Sequence, residues 1–256
     1  MPRNLKVSWP SLPLSGNEGQ IGELTIAVTP QMVEKTALTR YIPVGMFIPT
    51  GWSCMQALEI KSETKTRILD ASLHVIRAKG YTATRVEDIC ESAGLTKGGF
   101  FHHFKSKEEL AIAAAEHFSA MAESIFSEAP YRRLTDPLDR LLGYVDFRKA
   151  ILKGDLPDYT CLLGTMVQET YETHPLIRKV CDRCISAHAA TLAADIEAAV
   201  RKYGITPRWT VESLAYYMQS VIQGAFILAK AQHSSEVAAD CLDHLRRYLE
   251  RLFHRY

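Results

Sequence analysis

No apolar run in these 256 residues approaches the ~20 needed to cross a bilayer as a helix. The opening stretch, MPRNLKVSWPSLPLSG, holds no continuous hydrophobic segment of the kind a secretory leader uses. No membrane partner is expected, and the cytoplasm is the expected location. An excess of one charge is missing as well: 30 Lys and Arg stand against 29 Asp and Glu, a formal net charge of +1. Any nucleic-acid contact must therefore come from where cations are placed, not from bulk charge. The six cysteines show no dense, regular spacing, which points to reduced thiols and away from a disulfide framework. Also lacking are a glycine-rich phosphate loop ending in Lys-Ser/Thr, a nucleophile elbow and a paired-His metalloprotease motif, so no catalytic residue is expected. No cofactor and no metal site are implied. Cys181, Cys184 and His188 share a helical face at i, i+3 and i+7, but without a fourth ligand they read better as a buried stripe. There are no internal repeats and no strand of consequence.

What remains is a chain that is 47% hydrophobic, enough for a substantial core, patterned almost throughout at helical period; the fold class expected is all-α. Residues 1–60 are the exception. Pro, Gly, Ser and Thr recur there, and the apolar pieces Leu24–Val28 and Tyr41–Ile48 are short and β-like. This extension reads as a disordered tail, a small appendage or sequence upstream of a later start, with Met55 the natural alternative.

Residues 61–121 read as a compact head. Ser62–Lys79 is expected to be a helix, with Ile68, Ala71, Ser72, Val75 and Ile76 as its buried stripe and Gly80 as its stop. Thr84 and Glu87 have capping-box spacing, and Val86, Ile89, Cys90 and Ala93 fall at i, i+3, i+4 and i+7. Gly94 suits the left-handed residue that closes a helix. Thr96 suits the cap of the next, in which Phe100 and Phe104 share one face while Gly98, Gly99 and His102 occupy the other. Adjacent glycines cost a helix about 1 kcal/mol each relative to Ala. A bare face of this kind is useful where backbone must approach a large surface, as in a major groove. Ser106 and Glu109 then form a second capping box opening a long helix whose apolar side is expected at Leu110, Ala113, Ala114, His117 and Met121. Between Lys61 and Leu110 there are nine Lys and Arg against seven Asp and Glu; from there to Tyr256 there are seventeen against eighteen.

The stretch GYTATRVEDICESAGLTKGGFFHHFKSKEEL resembles the DNA-binding domain of TetR-type (tetracycline-repressor-like) transcriptional regulators. The likeness covers about Ser62 to Met121. The resemblance implies a helix-turn-helix that binds double-stranded operator DNA, with Thr84, Arg85, Thr96, Lys97, Gly98, Gly99, Phe101, His102, His103, Lys105 and Lys107 as candidate contacts. Lys97, Lys105 and Lys107 are the expected phosphate partners, and Lys107→Ala is expected to flatten the salt dependence of binding. Gly99 and Phe101 depart from the family pattern, which often has a polar residue and a Tyr there. Both departures remove hydrogen-bonding groups, and they motivate the competing reading of a helical binding or scaffold protein with a degenerate head.

Residues 122–256 read as a helical body. Asp136-Pro137 suits an N-cap followed by Pro in the first turn, opening a helix that buries Leu138, Leu141, Leu142, Val145 and Leu152 up to Gly154. Pro157–Tyr171 reads as one shorter helix. Pro175 opens a long helix closed by Gly204, with Leu176, Val180, Cys184, Ala187, Thr191, Ile196 and Val200 as its apolar positions. Segments 210–232 and 235–253 are long and apolar, the first at Leu214, Tyr217, Met218, Val221, Ala225 and Leu228, the second at Val237, Cys241, Leu245, Leu249 and Leu252. In the resembled family such a body holds a small-molecule effector, and its last two helices pair with a second subunit; a homodimer through 210–232 and 235–253 is the expectation. Candidate cavity residues are Phe147, Cys161, Met166, Tyr171, His188, Tyr217, Gln223 and Phe226, with plain core as the competing reading. Cys161 stands at a helix start, where thiolates are favoured. Some regulators of the family that sense electrophiles carry a comparable cysteine.

Overall fold

A computed structural model describes residues 50–254, with side chains from residue 63 onward; the apolar pieces at 24–28 and 41–48 lie outside the described residues. Ten α-helices follow one another: α1 (Thr50–Lys79), α2 (Val86–Ala93), α3 (Lys97–His103), α4 (Lys107–Ser127), α5 (Pro137–Ala150), α6 (Leu156–Tyr159), α7 (Leu162–Thr170), α8 (Pro175–Tyr203), α9 (Val211–Gln232) and α10 (Glu236–Leu252). A single 3-10 turn, Pro130–Arg133, joins α4 to α5. No strand occurs among the described residues.

Three helices begin or end elsewhere than the pattern suggested. The first starts at Thr50 instead of Ser62, carried by the helix formers Met55 to Lys61, so Met55 lies inside it. The expected helix Pro157–Tyr171 is two. Its first turn closes when Asp158 Oδ2 accepts the Asp155 N–H at 2.8 Å, and Thr160 Oγ1 then donates to the Leu156 carbonyl at 2.8 Å. Thr160 itself is extended, so the chain restarts at Cys161. The helix from Pro137 ends at Ala150, short of Gly154.

The long connector is rotated relative to expectation. Leu110, Ala111, Ala114, Ala115 and Phe126 are its buried face, while Met121 is exposed and His117 holds Asp70 at 2.7 Å. The alanines leave room for α4 to lie close to α8. Similarly, α8 buries Ile177, Val180, Cys181, Cys184, Leu192 and Ile196 and turns Leu176 outward.

The apolar core is in two main parts. One fills the body between α5, α8, α9 and α10, around Tyr144, Leu141, Ile196, Met218 and Leu245. The other begins in the head with Ile68, Ile76, Ile89, Phe100, Phe104 and Leu110, and it does not close within residues 61–121. Leu162, Leu163, Met166, Ile177 and Val180 from α7 and α8 complete it. Head and connector are thus welded by burial to the top of the body. Beneath them, Asp195 of α8 is gripped by two guanidinium groups, Arg132 at 3.1 Å and Arg140 at 2.8 Å.

Candidate nucleic-acid interface and the cavity behind it

The reading helix is built as its residues require. Thr96 Oγ1 accepts the Gly99 N–H at 3.2 Å, capping α3. Phe100 and Phe104 are fully buried with ring centroids 5.9 Å apart, so these two side chains hold the helix to the head. Opposite them the helix is bare. A Cβ added at Gly98 or Gly99 would meet nothing nearer than the Thr96 hydroxyl, at 3.8 and 3.7 Å. Phe101 and His102 are exposed on the same short helix, and His102 and His103 meet edge to face at 5.2 Å. Gly94 closes α2 in the left-handed region, as its φ of 65° requires of a residue without Cβ.

Two candidate contacts serve the inside of the head. Thr84 is buried and its hydroxyl donates to the Gly80 carbonyl at 2.6 Å, so it neither caps α2 nor presents its side chain to DNA. The cap is one residue later, where Asp88 Oδ2 accepts the Arg85 N–H at 2.9 Å. Lys107 likewise turns inward. Its ammonium donates to the carbonyls of Tyr81 (3.0 Å), Thr82 (3.4 Å) and Thr84 (3.0 Å) and lies 4.4 Å above the Tyr81 ring. All three protons are engaged, leaving no donor for a phosphate. Burial also pulls this ammonium below the usual lysine range. Lys97 is exposed but paired with Glu87, and Arg85 stands 3.5 Å from Asp88. Lys105 is exposed, and only its backbone N–H is engaged, by Glu109 at 2.8 Å.

Behind the head, a cavity of about 430 Å³ opens between α4, α5, α8 and α9. Of the eight expected cavity residues it brings together Cys161, His188, Gln223 and Phe226. The other four are elsewhere: Phe147 packs on Phe126 and Tyr131 in the body core, Met166 is sealed in the head core, Tyr171 is exposed at the end of α7, and Tyr217 faces outward. Helical period puts a residue on a face but does not say which neighbour that face meets. Arg132, Arg148, Phe126 and Gln219, which also line the cavity, went unseen. The available signal was a glutamine on the apolar stripe of α9 and an arginine following Phe147 in α5; Arg132, in the PYRR turn, offered none.

A polar chain runs along the cavity wall. Tyr144 Oη accepts from Arg148 Nε (3.0 Å) and Gln219 Nε2 (3.1 Å) and lies 3.0 Å from His188 Nε2. Burial, then the charges of Arg148 and Arg132, push His188 down to about 3; the ring is neutral and its Nε2 accepts. Among the described residues no group of three or more His, Cys, Asp or Glu is placed to hold a metal ion. Cys181 is buried, and burial pushes its thiol up to about 12.

Head and cavity meet at α7. Arg77 of α1 donates to the carbonyls of Asp158 (3.1 Å) and Thr160 (3.4 Å) immediately before Cys161. Toward the other end of α7, Glu169 Oε2 accepts the Thr82 N–H of the head at 2.7 Å.

A helix-turn-helix head with a bare reading helix, set on an all-helical body, defines a DNA-binding transcriptional regulator. Residues 68–114 match the family profile described as bacterial regulatory proteins, tetR family, and residues 137–245 match the tetracyclin repressor-like C-terminal domain. Together these profiles span well over half of the chain, and the chain belongs to the TetR family. It is 27% identical over 202 residues to the uncharacterized HTH-type regulator YerO of Bacillus subtilis, covering 74% of this chain and 67% of that protein. It is 22% identical over 195 residues to the HTH-type repressor NemR of Escherichia coli, covering 73% of this chain and 94% of that protein. Among solved structures, a TetR regulator from Chloroflexus aurantiacus shares the fold at a TM-score of 0.67 and 23% identity, over 75% of this chain and 97% of that one. No described helix is long and apolar enough to cross a membrane.

Proposed function

We propose that the protein is a homodimeric repressor, without enzymatic activity, whose body binds a small-molecule effector and thereby releases operator DNA. The observation that carries this reading is the joint at α7. One end of that helix floors the cavity at Cys161, while the chain just before it is fastened to the head through Arg77 and its last turn through Glu169. A ligand that shifts α7 must shift the head with it. If the two heads of a dimer engage half-sites a helical turn or its multiple apart, a small change in their spacing prevents both from docking together. Residues 61–121 are the DNA-binding unit in this reading and 122–256 the sensing and pairing unit. The DNA-facing set is Arg85, Thr96, Lys97, Gly98, Gly99, Phe101, His102, His103 and Lys105.

Pairing through α9 and α10 is supported by an outward apolar face. Tyr217, Leu228 and Tyr248 are each more than two-fifths exposed, the Tyr217 and Tyr248 rings meet at a tilt with centroids 5.1 Å apart, and Gly224, between Tyr217 and Leu228 along α9, has open space above it. Antiparallel helix pairs of this kind assemble into four-helix interfaces. Titration of the purified protein onto the intergenic DNA upstream of its own gene tests the function. Salt-sensitive, sequence-selective binding by a dimer is expected, and its absence from an intact dimer favours the scaffold reading motivated by Gly99 and Phe101.

A second mode of control has its own support. Cys161 Sγ accepts the Gly164 N–H at 3.5 Å, capping α7, and the residue lines the cavity, where a small reagent can reach it. In this mode an oxidant or electrophile at Cys161 releases operator DNA. Unchanged release in Cys161→Ser would remove it.

A further inference from the structure

The cavity wall carries a cation with no anion to answer it. Arg148 rises from α5, its guanidinium 4.4 Å above the Phe126 ring. Its polar partners are neutral: the Tyr144 hydroxyl at 3.0 Å and His188 Nε2 at 3.3 Å. The bonding pattern requires that neutrality. Tyr144 accepts from both Arg148 and Gln219, so its own proton goes to His188 Nε2, which must be an unprotonated nitrogen. The nearby carboxylate is already committed, since Asp195 serves both Arg132 and Arg140. Glu123 on the rim is exposed and makes no ion pair with Arg148. Of the five guanidinium N–H donors, two are engaged and three have no partner among the described residues. A half-buried charge in this state is costly unless something answers it. The wall also presents the apolar side chains Phe118, Leu163, Ile185 and Phe226, beside the polar Ser119, Thr191 and Gln223.

We infer that the cavity selects a small organic acid, an apolar body carrying one carboxylate that seats on Arg148. A carboxylate matches the planar fork of a guanidinium and accepts two parallel N–H bonds, which an amide or amine cannot do. The space of about 430 Å³ lies toward the small end of ligand pockets. This inference rests on the cavity being the effector site. It adds the charge of the ligand to that reading.

The test is calorimetric titration of the full-length protein with 4-phenylbutyrate, 4-phenylbutanamide and 4-phenylbutylamine, together with a matched octanoate and octanamide pair. Carboxylates should bind at least about tenfold more tightly than their amides, and the amine should bind weakest. Arg148→Gln should abolish the difference between acid and amide, and Arg148→Lys should keep part of it. Thermal melting of each variant reports whether it folds. Equal binding of acids and amides to the native protein, or an acid preference that survives in a folded Arg148→Gln, would overturn the inference. Ala122→Trp, which fills the cavity, separates the two ideas. If acids and amides bind equally and both are lost in Ala122→Trp, the effector site stands and only its charge selectivity falls. If binding persists unchanged in Ala122→Trp, or if no probe binds, both fall.

Discussion

Removing the Lys107 ammonium should loosen the head without removing a phosphate contact. In Lys107→Ala the carbonyls of Tyr81, Thr82 and Thr84 lose a shared donor, and the Tyr81 ring loses a cation 4.4 Å from its centre. A hydrogen bond to a charged group contributes about 1.5–3 kcal/mol. Thr82 is exposed, so water replaces part of the loss, and the expected net cost is about 2 kcal/mol, of which the ring contact is about 0.5 kcal/mol. Because the head core is completed by α7 and α8, this should appear in the main unfolding transition, as a fall of about 4–8 °C at this chain length. The assay pairs thermal melting with operator binding by fluorescence anisotropy across a salt series. Lys107→Ala should melt early yet keep the wild-type slope of log affinity against log salt at temperatures where it is folded. Lys105→Ala should melt normally and lose slope, by about 0.9 for each phosphate contact removed. The opposite pattern, with native melting and a reduced slope for Lys107→Ala, would refute this reasoning.

Three further outcomes are expected. His188 is held neutral, with a folded value of about 3 against about 6.5 when unfolded. Its contribution is therefore intact above that unfolded value and lost as pH falls from 6.5 toward 3, by about 1 kcal/mol between pH 6.5 and 5.5. Urea midpoints should show this fall in the native protein and less of it in His188→Asn; an equal fall in both would disprove it. Burial pushes the Asp136 carboxyl up, but Lys202, Tyr203 and the amides of Leu138 and Asp139 outweigh this and hold it at about 2. Its stabilisation is present above about pH 4 and lost as pH falls toward 2, and Asp136→Ala should cost about 1–2 kcal/mol in denaturant melts at neutral pH. An unchanged midpoint there would show the cap to be idle. Leu228→Arg should leave the fold intact but give a monomer by sedimentation with much weakened operator binding. A dimer of native affinity would place the pairing surface elsewhere.

The head was legible because local rules determine it. Thr96, Gly94, Phe100 and Phe104 do what their spacing implies, since a cap, a left-handed turn and a two-residue anchor each involve neighbours within one or two helical turns. Thr84 and Lys107 did not, because their partners, the Gly80 carbonyl and the 81–84 turn, are set by how the α1–α2 turn folds back onto α4. The cavity was legible by half. His188 and Phe226 show helical period, but so do Tyr217 and Phe147, and only the rotation of each helix against its neighbours separates a lining residue from a core or surface one. Arg148 is harder still: its significance is the carboxylate it lacks, and pairings between distant helices do not appear in a linear pattern.

The room for a side chain at Gly98 and Gly99 bears on how such a protein can change its target. At most positions on a DNA-facing surface a new side chain must be reconciled with its neighbours, so altered specificity is tied to altered stability. Here an added Cβ would meet the Thr96 hydroxyl and, at Gly99, the Leu95 side chain, all at ordinary contact distance, and replacing either glycine would favour the helix by up to about 1 kcal/mol. If these two positions face DNA as proposed, substitution there changes the operator without disturbing the fold, and a descendant gene acquires a new binding site by single substitutions that its structure tolerates.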